Sequence, residues 1–351
     1  MEDIHLLVDY KGYFETKYHA EPYRSGLDRS RLEAHFADYG VRARFINFCD
    51  VNPSDPAHRG RVFLYTSTED YGLHYRSFVQ DIVLGLEAGG AKVIPPYEFL
   101  HAHHNKVYME ILRERLLGDE AGTLKSHFFG TLEELEERVH TIALPVVVKP
   151  ASGARSVGVR LCRTRAELLK AAADTSASQA WAAADARDLA RSIRRKGYKR
   201  ESLHRRKFVV QAFMPELDHD WKILVYGRKY YVLRRSIRTH DFRASGSGRF
   251  EFPAELPAGL LDYAARVFER LNVPHISLDI GAHGSNFNLF EFQAVYFGTL
   301  TLERSPFHFV ASGGTWKRVD GPSELEEEFA RGVMQYLGVS TKMVESGVPS
   351  S

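Results

Sequence analysis

A lysine at the end of an apolar strand is the first residue here whose type and position suggest chemistry. Residues 146–150 read Val-Val-Val-Lys-Pro, and a run of small residues, 151–158, follows. A lysine that leaves a strand beside glycines is well placed to bind a phosphate, although the spacing matches neither the P-loop nor the dinucleotide-binding pattern. Lys149 is therefore a candidate phosphate ligand.

A second candidate set lies far downstream, where two predicted strands carry acidic and amide side chains. Asp279 lies on the first strand, and Glu291 and Gln293 lie two residues apart on the second. Side chains two apart on a strand face the same side, so these three are expected to converge. Oxygen ligands of this kind suit Mg²⁺, which bridges carboxylates and nucleotide phosphates. Alone, Asp279 would more often be a turn or surface residue; with the lysine strand, the set indicates a nucleotide site.

The composition indicates a soluble globular protein of two or three compact units. The chain has 351 residues, of which 44% are hydrophobic and 12% aromatic, and a net charge of +2. That charge argues against a generally basic nucleic-acid-binding surface.

However, residues 191–207 hold nine Lys/Arg and one Glu, or +8, so the remainder sums to −6. This basic run is as consistent with a solvated connection as with attraction of an acidic substrate or a phosphorylated partner. Nucleic acid is the weaker reading because only Tyr198 offers a stacking surface there.

The cysteines and the first residues bear on the compartment. Cys49 and Cys162 have neither metal-ligand spacing nor a disulfide framework around them, which predicts a reducing environment. Residues 1–5 begin a strand instead of a signal peptide, and no apolar run reaches transmembrane length. We therefore expect a cytoplasmic protein without a membrane partner.

Strands and helices alternate over the first hundred residues, which predicts an α/β domain with a Rossmann-like parallel sheet. The predicted strands are 4–8, 41–48, 62–65 and 91–94, and the predicted helices are 28–39, 73–88 and 105–117. Residues 10–14 follow the first strand and are candidate substrate contacts, because open α/β sheets bind ligands at the carboxyl ends of strands. His101, His103 and His104 have no matching carboxylate or cysteine nearby in sequence, so we expect them to face solvent.

The second half mixes strands with fewer helices. The predicted strands with both ends assigned are 146–150, 208–214, 221–226, 229–235, 277–280 and 289–293; one further strand begins at residue 124, and another ends at 161. The predicted helices are 132–139, 260–271 and 324–337, and a further helix begins at residue 166. Ser323 is the expected N-cap of the last helix. Residues 281–288 are predicted as a turn, 241–249 as a polar loop and 344–351 as a frayed tail.

The order and spacing of these pieces resemble the ATP-grasp superfamily, as a divergent member of the glutathione-synthetase-like branch that includes the ribosomal-protein glutamate ligases. The resemblance covers residues 60–300. It implies an α/β ATP-grasp fold: an N-terminal Rossmann-like pre-ATP-grasp domain (1–104), a linker helix with a small α+β lid subdomain (105–210), and a C-terminal α+β core with the metal site (211–340). Residues 341–351 would form a flexible tail.

The resemblance assigns one group of residues to the nucleotide phosphates. Lys106 and Lys149 would contact the α- and β-phosphates. Ser152, Gly153 and Ser156 would lie in the loop that folds over the β/γ end. A lysine near a helix start is commonly solvated, which is the alternative for Lys106.

A second group would bind the rest of the nucleotide. The adenine would lie against the backbone of Ala212 and Met214, with Gln211 beside it. Glu216 or Asp218 would lie near the ribose.

A third group would hold the metal and act on the phosphoryl group. Asp279, Glu291 and Gln293 would bind Mg²⁺, with Gln293 standing where the branch usually has asparagine. Lys222 and Arg243 would meet the transferring phosphoryl group, whose charge fixed cations stabilise. Alternatively, Arg243 would have no catalytic function and would lie exposed to solvent at the edge of the hairpin, as would its neighbours Arg234, Arg235, Arg238 and Arg249. The implied cofactors are ATP and two Mg²⁺ ions, for which Mn²⁺ could substitute.

The resemblance implies a carboxylate–amine ligase that forms an amide through an acylphosphate. Residues 294–299 replace the small Ser/Pro/Gly segment usual after the metal ligands, so the family's familiar substrates are not implied. A kinase that phosphorylates a hydroxyl, such as that of a polyol, and a non-catalytic ATP-binding module stay open. The expected partners are small-molecule carboxylate and amine substrates, anionic in character, with no nucleic acid; a homodimer is the default expectation.

Overall fold

A computed structural model describes residues 2–153, 157–178, 182–215, 217–237 and 248–340. The described residues fall into two compact units. Unit 1 comprises 1–103, 219–236 and 249–351, and unit 2 comprises 104–218 and 237–248, each as far as described. The predicted limits of the three domains stay predictions.

Unit 1 begins with a four-stranded parallel sheet. Its elements are β1 (Asp3–Val8), α1 (Arg29–Ala37), β2 (Arg42–Asn47), β3 (Val62–Tyr65), α2 (His74–Ala88), β4 (Lys92–Ile94) and α3 (Tyr97–Ala102). The strand order is β2-β1-β3-β4. Asp28 caps α1 by accepting a hydrogen bond from the Arg31 N–H at 3.0 Å. The Rossmann-like parallel sheet is thus confirmed.

Unit 2 is a four-stranded antiparallel sheet with helices. Its elements are α4 (Lys106–Leu117), β5 (Ser126–Phe129), α5 (Leu132–Arg138), β6 (Val146–Pro150), β7 (Arg160–Cys162), α6 (Arg165–Ser176), α7 (Ala182–Arg194) and β8 (Phe208–Ala212). The strand order is β5-β8-β6-β7. Helices α5 and α6 both start with capping boxes, Thr131 with Glu134 and Thr164 with Glu167. Apolar residues of β6, β8 and α6 form its core, among them Val148, Val210 and Leu168.

The rest of unit 1 is a seven-stranded antiparallel sheet with three helices. Its elements are β9 (His219–Tyr226), β10 (Lys229–Ser236), β11 (Phe250–Glu251), α8 (Leu260–Leu271), β12 (His275–His283), β13 (Asn286–Gln293), α9 (Leu300–Arg304), β14 (Phe307–Ser312), β15 (Thr315–Asp320) and α10 (Leu325–Tyr336). The strand order is β13-β12-β9-β10-β14-β15, with β11 on β10. One hydrophobic core includes residues of β1, α1, β9 and α10, such as Leu6, Phe36 and Val333.

The structure corrects three sequence predictions. Strands β12 and β13 extend to His283 and from Asn286, so the predicted turn at 281–288 is much shorter. The N-cap of α10 is Glu324, because the Ser323 hydroxyl is instead hydrogen bonded with the Tyr231 hydroxyl at 2.8 Å. The strand predicted at 208–214 ends at Ala212.

None of the described helices is both long enough and apolar enough to cross a membrane.

Candidate functional site

Lys149 lies where its strand meets a buried amide. It pairs with Val209 of β8, and its Nζ donates to Oε1 of Gln211 at 2.6 Å. Gln211 is 3% exposed, so this acceptor is held inside unit 2. The amide fixes the lysine head group at the end of β6. A lysine positioned in this way can bind a phosphate.

A buried polar network holds Gln211 in turn. Its Nε2 donates to Glu110 Oε1 and Ser126 Oγ, both at 3.1 Å, and Glu110 forms an ion pair with Arg113 at 2.7 Å. Glu110 is fully buried and Arg113 is 1% exposed. Removing one partner of a buried ion pair is strongly destabilising. The network therefore gives Lys149 a rigid support on α4 and β5.

Lys106 lies at the start of α4, next to the loop that follows Lys149. Its backbone N–H donates to the Ala151 carbonyl at 2.7 Å, and Asn105 caps the helix by accepting from the Tyr108 N–H. The structure thus brings Lys106 and the Lys149 strand together within unit 2. Their phosphate-binding role stays a prediction.

The small-residue loop leaves and rejoins the sheet at one place. Ser152 and Gly153 are exposed, and Ser156 lies outside the described residues. Gly158 has a φ of +76°, and a Cβ there would lie 2.8 Å from Pro150 Cγ. Glycine at this position therefore permits the return of the loop against Pro150.

The predicted adenine-binding segment follows β8. The Ala212 N–H already donates to the Lys125 carbonyl at 2.8 Å, and the Phe213 N–H donates to Pro145 at 3.1 Å. Met214 is half-buried and Asp218 is exposed, while Glu216 lies outside the described residues. The Ala212 N–H is thus occupied within the sheet, so adenine would have to use other groups of this segment.

In unit 1, the predicted metal ligands lie on neighbouring strands. Asp279 on β12 is directly opposite Glu291 on β13, and a bulge follows between Asp279 and Ile280. Gln293 is opposite Ser277, and its Nε2 donates to Glu291 Oε1 at 3.3 Å. The pairing places all three predicted ligands on one face of the sheet, as the alternation along the strands indicates.

Cations on β9 and β10 surround this acidic face. Lys222 pairs with Asp279 across β9 and β12, with its Nζ 3.6 Å from Asp279 Oδ1 and 2.6 Å from Ser277 Oγ. Arg235 binds both oxygens of Asp220, at 2.6 and 2.8 Å, and reaches Asp279 at 3.0 Å. Burial lowers the pKa of Lys222, although the Asp279 carboxylate opposes this shift. The neighbouring carboxylates of Asp279 and Asp220 outweigh burial at Arg235 and raise its pKa.

The donor set of this face fits a divalent cation. Two carboxylates and an amide oxygen are hard ligands of the kind Mg²⁺ takes, and each sits on a strand instead of a loop. Lys222 and Arg235 supply positive charge beside the same carboxylates. Arg243, predicted to act with Lys222, lies outside the described residues.

The segment after Gln293 is fastened by residues that follow β1. The Tyr296 backbone N–H is hydrogen bonded to the Glu15 carboxylate, and its hydroxyl is hydrogen bonded with the Thr16 side chain. Burial raises the pKa of Glu15 to about 8. A cavity of about 10 Å³, room for one water molecule, lies between Glu15, Phe297 and the buried His275. Residues that follow β1 therefore set the conformation of the divergent segment.

Known proteins resemble this chain in structure but not in sequence. No protein-family model and no curated protein matches it. It is similar to a RimK domain ATP-grasp protein from Sphaerobacter thermophilus, 18% identical over 85% of this chain and 94% of that one, with a TM-score of 0.47. It is similar to an N5-carboxyaminoimidazole ribonucleotide synthetase from Thermus thermophilus, 16% identical over 97% and 79%, with a TM-score of 0.52.

A third solved structure is the ATP-grasp ligase PsnB complexed with the precursor peptide PsnA2 and AMPPNP. It is 12% identical over 95% of this chain and 98% of its own, with a TM-score of 0.51. This chain has the ATP-grasp fold. The ATP-grasp fold predicted from the order of sequence motifs is thereby confirmed, with a parallel N-terminal sheet and antiparallel central and C-terminal sheets.

Within the ATP-grasp fold, sequence reasoning missed several supporting residues. Arg235 was considered only as part of the alternative, a solvated rim around Arg243, but it is partly buried against Asp220, because the β9–β10 hairpin places the two directly opposite each other. That pairing was readable from the hairpin turn. Glu110 and Arg113, one turn apart on α4, had no sequence signal of their function.

The expectation that the histidines before α4 face solvent is wrong for His103. This residue is 6% exposed, and its Nε2 lies 2.9 Å from Glu69 Oε1. The carboxylate partner that was missing from the local sequence comes from the segment after β3.

Proposed function

We propose that the protein is an ATP- and Mg²⁺-dependent ligase that joins a carboxylate to an amine. The observation that carries this proposal is the face on which Asp279 lies opposite Glu291, flanked by Lys222 and Arg235. Carboxylates paired with fixed cations suit a reaction that needs a metal ion and stabilisation of phosphoryl charge. Two further points support it: the ATP-grasp fold, and the use of that fold by PsnB, which is described as a ligase.

The proposal assigns a task to each group. Lys149 and Lys106 of unit 2 would bind the nucleotide phosphates, and Gln211 would keep Lys149 in place. Asp279, Glu291 and Gln293 of unit 1 would hold Mg²⁺, which would neutralise phosphate charge when bound. Ser152 and Gly153 would belong to a loop that excludes water from a reactive intermediate.

The chemistry would take two steps. A substrate carboxylate oxygen attacks the γ-phosphorus of ATP, the bond to the β-phosphate oxygen breaks, and ADP leaves an acylphosphate behind. An amine nitrogen then attacks the acyl carbon, the C–O bond to phosphate breaks, and the nitrogen loses a proton. The products are an amide, ADP and orthophosphate. Lys222 would stabilise the charge on the transferring phosphoryl group.

A product screen tests this function. The protein is incubated with Mg-ATP and pooled carboxylates and amines, including acidic peptides; ADP and orthophosphate are measured, and products are identified by mass spectrometry. A ligase gives equal ADP and orthophosphate with a condensed product. A phosphoester without orthophosphate would establish the kinase, and nucleotide binding without turnover would establish the non-catalytic module.

Substitutions test the site assignment. Lys149→Ala and Glu291→Ala should each lower kcat at least about a hundredfold, because each removes a charge that acts on the phosphates or the metal. EDTA should abolish turnover of the unsubstituted protein. The exposed Lys170 and Glu255 offer matched controls, and their alanine variants should keep full activity. Normal turnover by either site variant, with a native circular dichroism spectrum, would refute the assignment.

A further inference from the structure

The positive run of residues 191–207 forms an exposed surface of unit 2. We call it the basic surface. Its cations are all exposed: Arg191, Arg194, Arg195, Lys196, Lys199, Arg200, Arg205, Arg206 and Lys207. Charges clustered on one surface raise the local concentration of oppositely charged partners.

Helix α7 and residues 191–207 hold three carboxylates, Asp185, Asp188 and Glu201, and the last two are engaged in local contacts. Asp188 is buried and accepts hydrogen bonds from the Tyr198 hydroxyl at 2.5 Å and the Glu201 N–H at 3.0 Å. The Glu201 carboxylate forms an ion pair with Arg205. In the part of the chain that the structure describes, Arg191 and Arg194 have no carboxylate within ion-pair distance. The excess of positive charge is therefore displayed outward.

The C-terminal end of the basic surface is attached to the rest of unit 2 by backbone hydrogen bonds. The Ser178 N–H donates to the Leu203 carbonyl at 2.8 Å, and the Arg206 N–H donates to Ser176 at 2.9 Å. The Ala151 N–H, beside the Lys149 loop, donates to the Lys207 carbonyl at 3.3 Å. Cations held in fixed positions lose less conformational entropy when they bind a partner.

Helix α7 adds an apolar stripe to these cations. Leu189 and Ile193 are one turn apart and therefore share a face, and they are 46% and 77% exposed. Asp188 lies on the buried side of the helix. At about 100° per residue, Arg191 falls on the side of α7 opposite the apolar stripe, and Arg194 falls about 120° from it. Helix α7 therefore offers apolar contacts and guanidinium groups on different sides.

We propose that the basic surface docks an acidic polypeptide segment that also carries large apolar side chains. Its carboxylates would bind the guanidinium groups, and its apolar side chains would cover Leu189 and Ile193. Charge complementarity favours this partner. The proposal does not depend on the ligase reaction.

Other polyanions fit the surface less well. Within the basic surface the sequence has one Phe, Tyr or Trp, Tyr198, and its hydroxyl is bound to Asp188. Trp181, just before α7, lies outside the described residues. The described residues of the basic surface therefore offer a single aromatic ring to nucleic-acid bases. Leu189 and Ile193 together could bury only about 3–6 kcal/mol of apolar contact, which is weak for anchoring to a lipid surface.

A binding experiment with the full-length protein tests the proposal. The probe is a fluorescein-labelled synthetic peptide of glutamates with leucines one helical turn apart, followed by anisotropy. Arg191→Glu, Arg194→Glu and Lys196→Glu, combined, should weaken binding at least about tenfold. Ile193→Ser should weaken the leucine-containing peptide but not a version with serine in place of leucine.

The matched control reverses three exposed cations of unit 1: Arg61→Glu, Arg270→Glu and Lys317→Glu. It carries the same change of net charge and should bind the peptide as the unsubstituted protein does. If the basic-surface variant loses its native circular dichroism spectrum, the variant with glutamine at the same three positions replaces it in the binding measurement. Unchanged binding by the folded variant overturns the proposal. The proposal is also overturned if polyuridylate or phosphatidylserine vesicles bind more tightly than the peptide and the same substitutions weaken that binding.

Discussion

At the scale of single residues, Arg235 balances charge at the candidate metal site. It is 12% exposed and joins Asp220 on β9 to Asp279 on β12. Arginine suits this position because its planar fork can bind one carboxylate with two nitrogens and still reach a second. Without it, two partly buried carboxylates would face each other.

Replacing Arg235 should therefore destabilise the protein. Arg235→Met keeps the length of the side chain but removes its ion pairs with Asp220 and Asp279, of which Asp279 still has Lys222 nearby, and we expect a loss of about 3–5 kcal/mol in the free energy of unfolding. Urea denaturation followed by circular dichroism measures it. Arg318→Met is the control, because Arg318 and Asp320 form an exposed pair whose loss should cost less than about 1 kcal/mol. Equal losses in both variants would contradict the role given to Arg235.

The residue types, and the alternation of side chains along the strands, predicted part of the candidate metal site. The alternation of β13 was sufficient to place Glu291 and Gln293 on one face. The contact of Arg235 with Asp279 and the burial of His103 could not be read in this way, because each depends on a distant segment, β12 for Asp279 and the segment after β3 for Glu69. Pairing between segments is decided by tertiary packing, which single-sequence patterns do not contain.

At the scale of elements, Gly158 closes the loop that follows Lys149. Its positive φ and its closeness to Pro150 are separate constraints on a side chain. Gly158→Ala should destabilise the protein by more than Gly197→Ala, which has a similar φ of +84° but nothing within 4 Å of the added Cβ. The left-handed conformation alone costs about 1–2 kcal/mol, and the contact with Pro150 adds to it.

Urea denaturation of the two glycine variants measures this difference directly, since both residues lie in unit 2. A smaller or equal cost for Gly158→Ala would show that the chain relaxes around Pro150. The loop would then be held less firmly than its two ends suggest.

Elements with strong local signals were predicted to the residue. Helix α8 and strand β3 have the predicted bounds, because apolar periodicity and flanking breakers agree there. No element was predicted between residues 300 and 322, where α9, β14 and β15 lie. Most of β15 is exposed, so it lacks the alternation of buried and exposed positions that identifies a strand.

At the scale of the whole molecule, the half-buried Glu15 and the buried His275 of unit 1 should shape the pH dependence of stability in opposite directions. Burial raises the pKa of Glu15 from its ordinary 4.5 to about 8, so the native state holds a proton that the unfolded chain releases. Its contribution to stability is lost as the pH rises toward 8. Burial lowers the pKa of His275 from 6.5 to about 3, so its contribution is lost as the pH falls toward 3.

Stability measured by urea denaturation at several pH values checks both signs. Glu15→Gln should gain stability relative to the unsubstituted protein between pH 5 and 8, by up to about 1.4 kcal/mol per pH unit. His275→Gln should gain relative stability as the pH falls from 6.5 toward 4. Glu137→Gln, at an exposed position, should show a constant difference. Parallel curves for Glu15→Gln and the unsubstituted protein would refute the assigned proton.

The attachment of the basic surface also bears on how the chain can be modified. Ser178 and Leu203 are joined by a backbone hydrogen bond, so the chain leaves the sheet and helix framework of unit 2 and returns to it at adjacent points. An insertion with adjacent ends can be exchanged without lengthening or straining what remains. The segment between Ser178 and Leu203, which carries six of the nine cations of the basic surface, should therefore be replaceable as a unit, separately from the strands that carry Lys149 and Gln211.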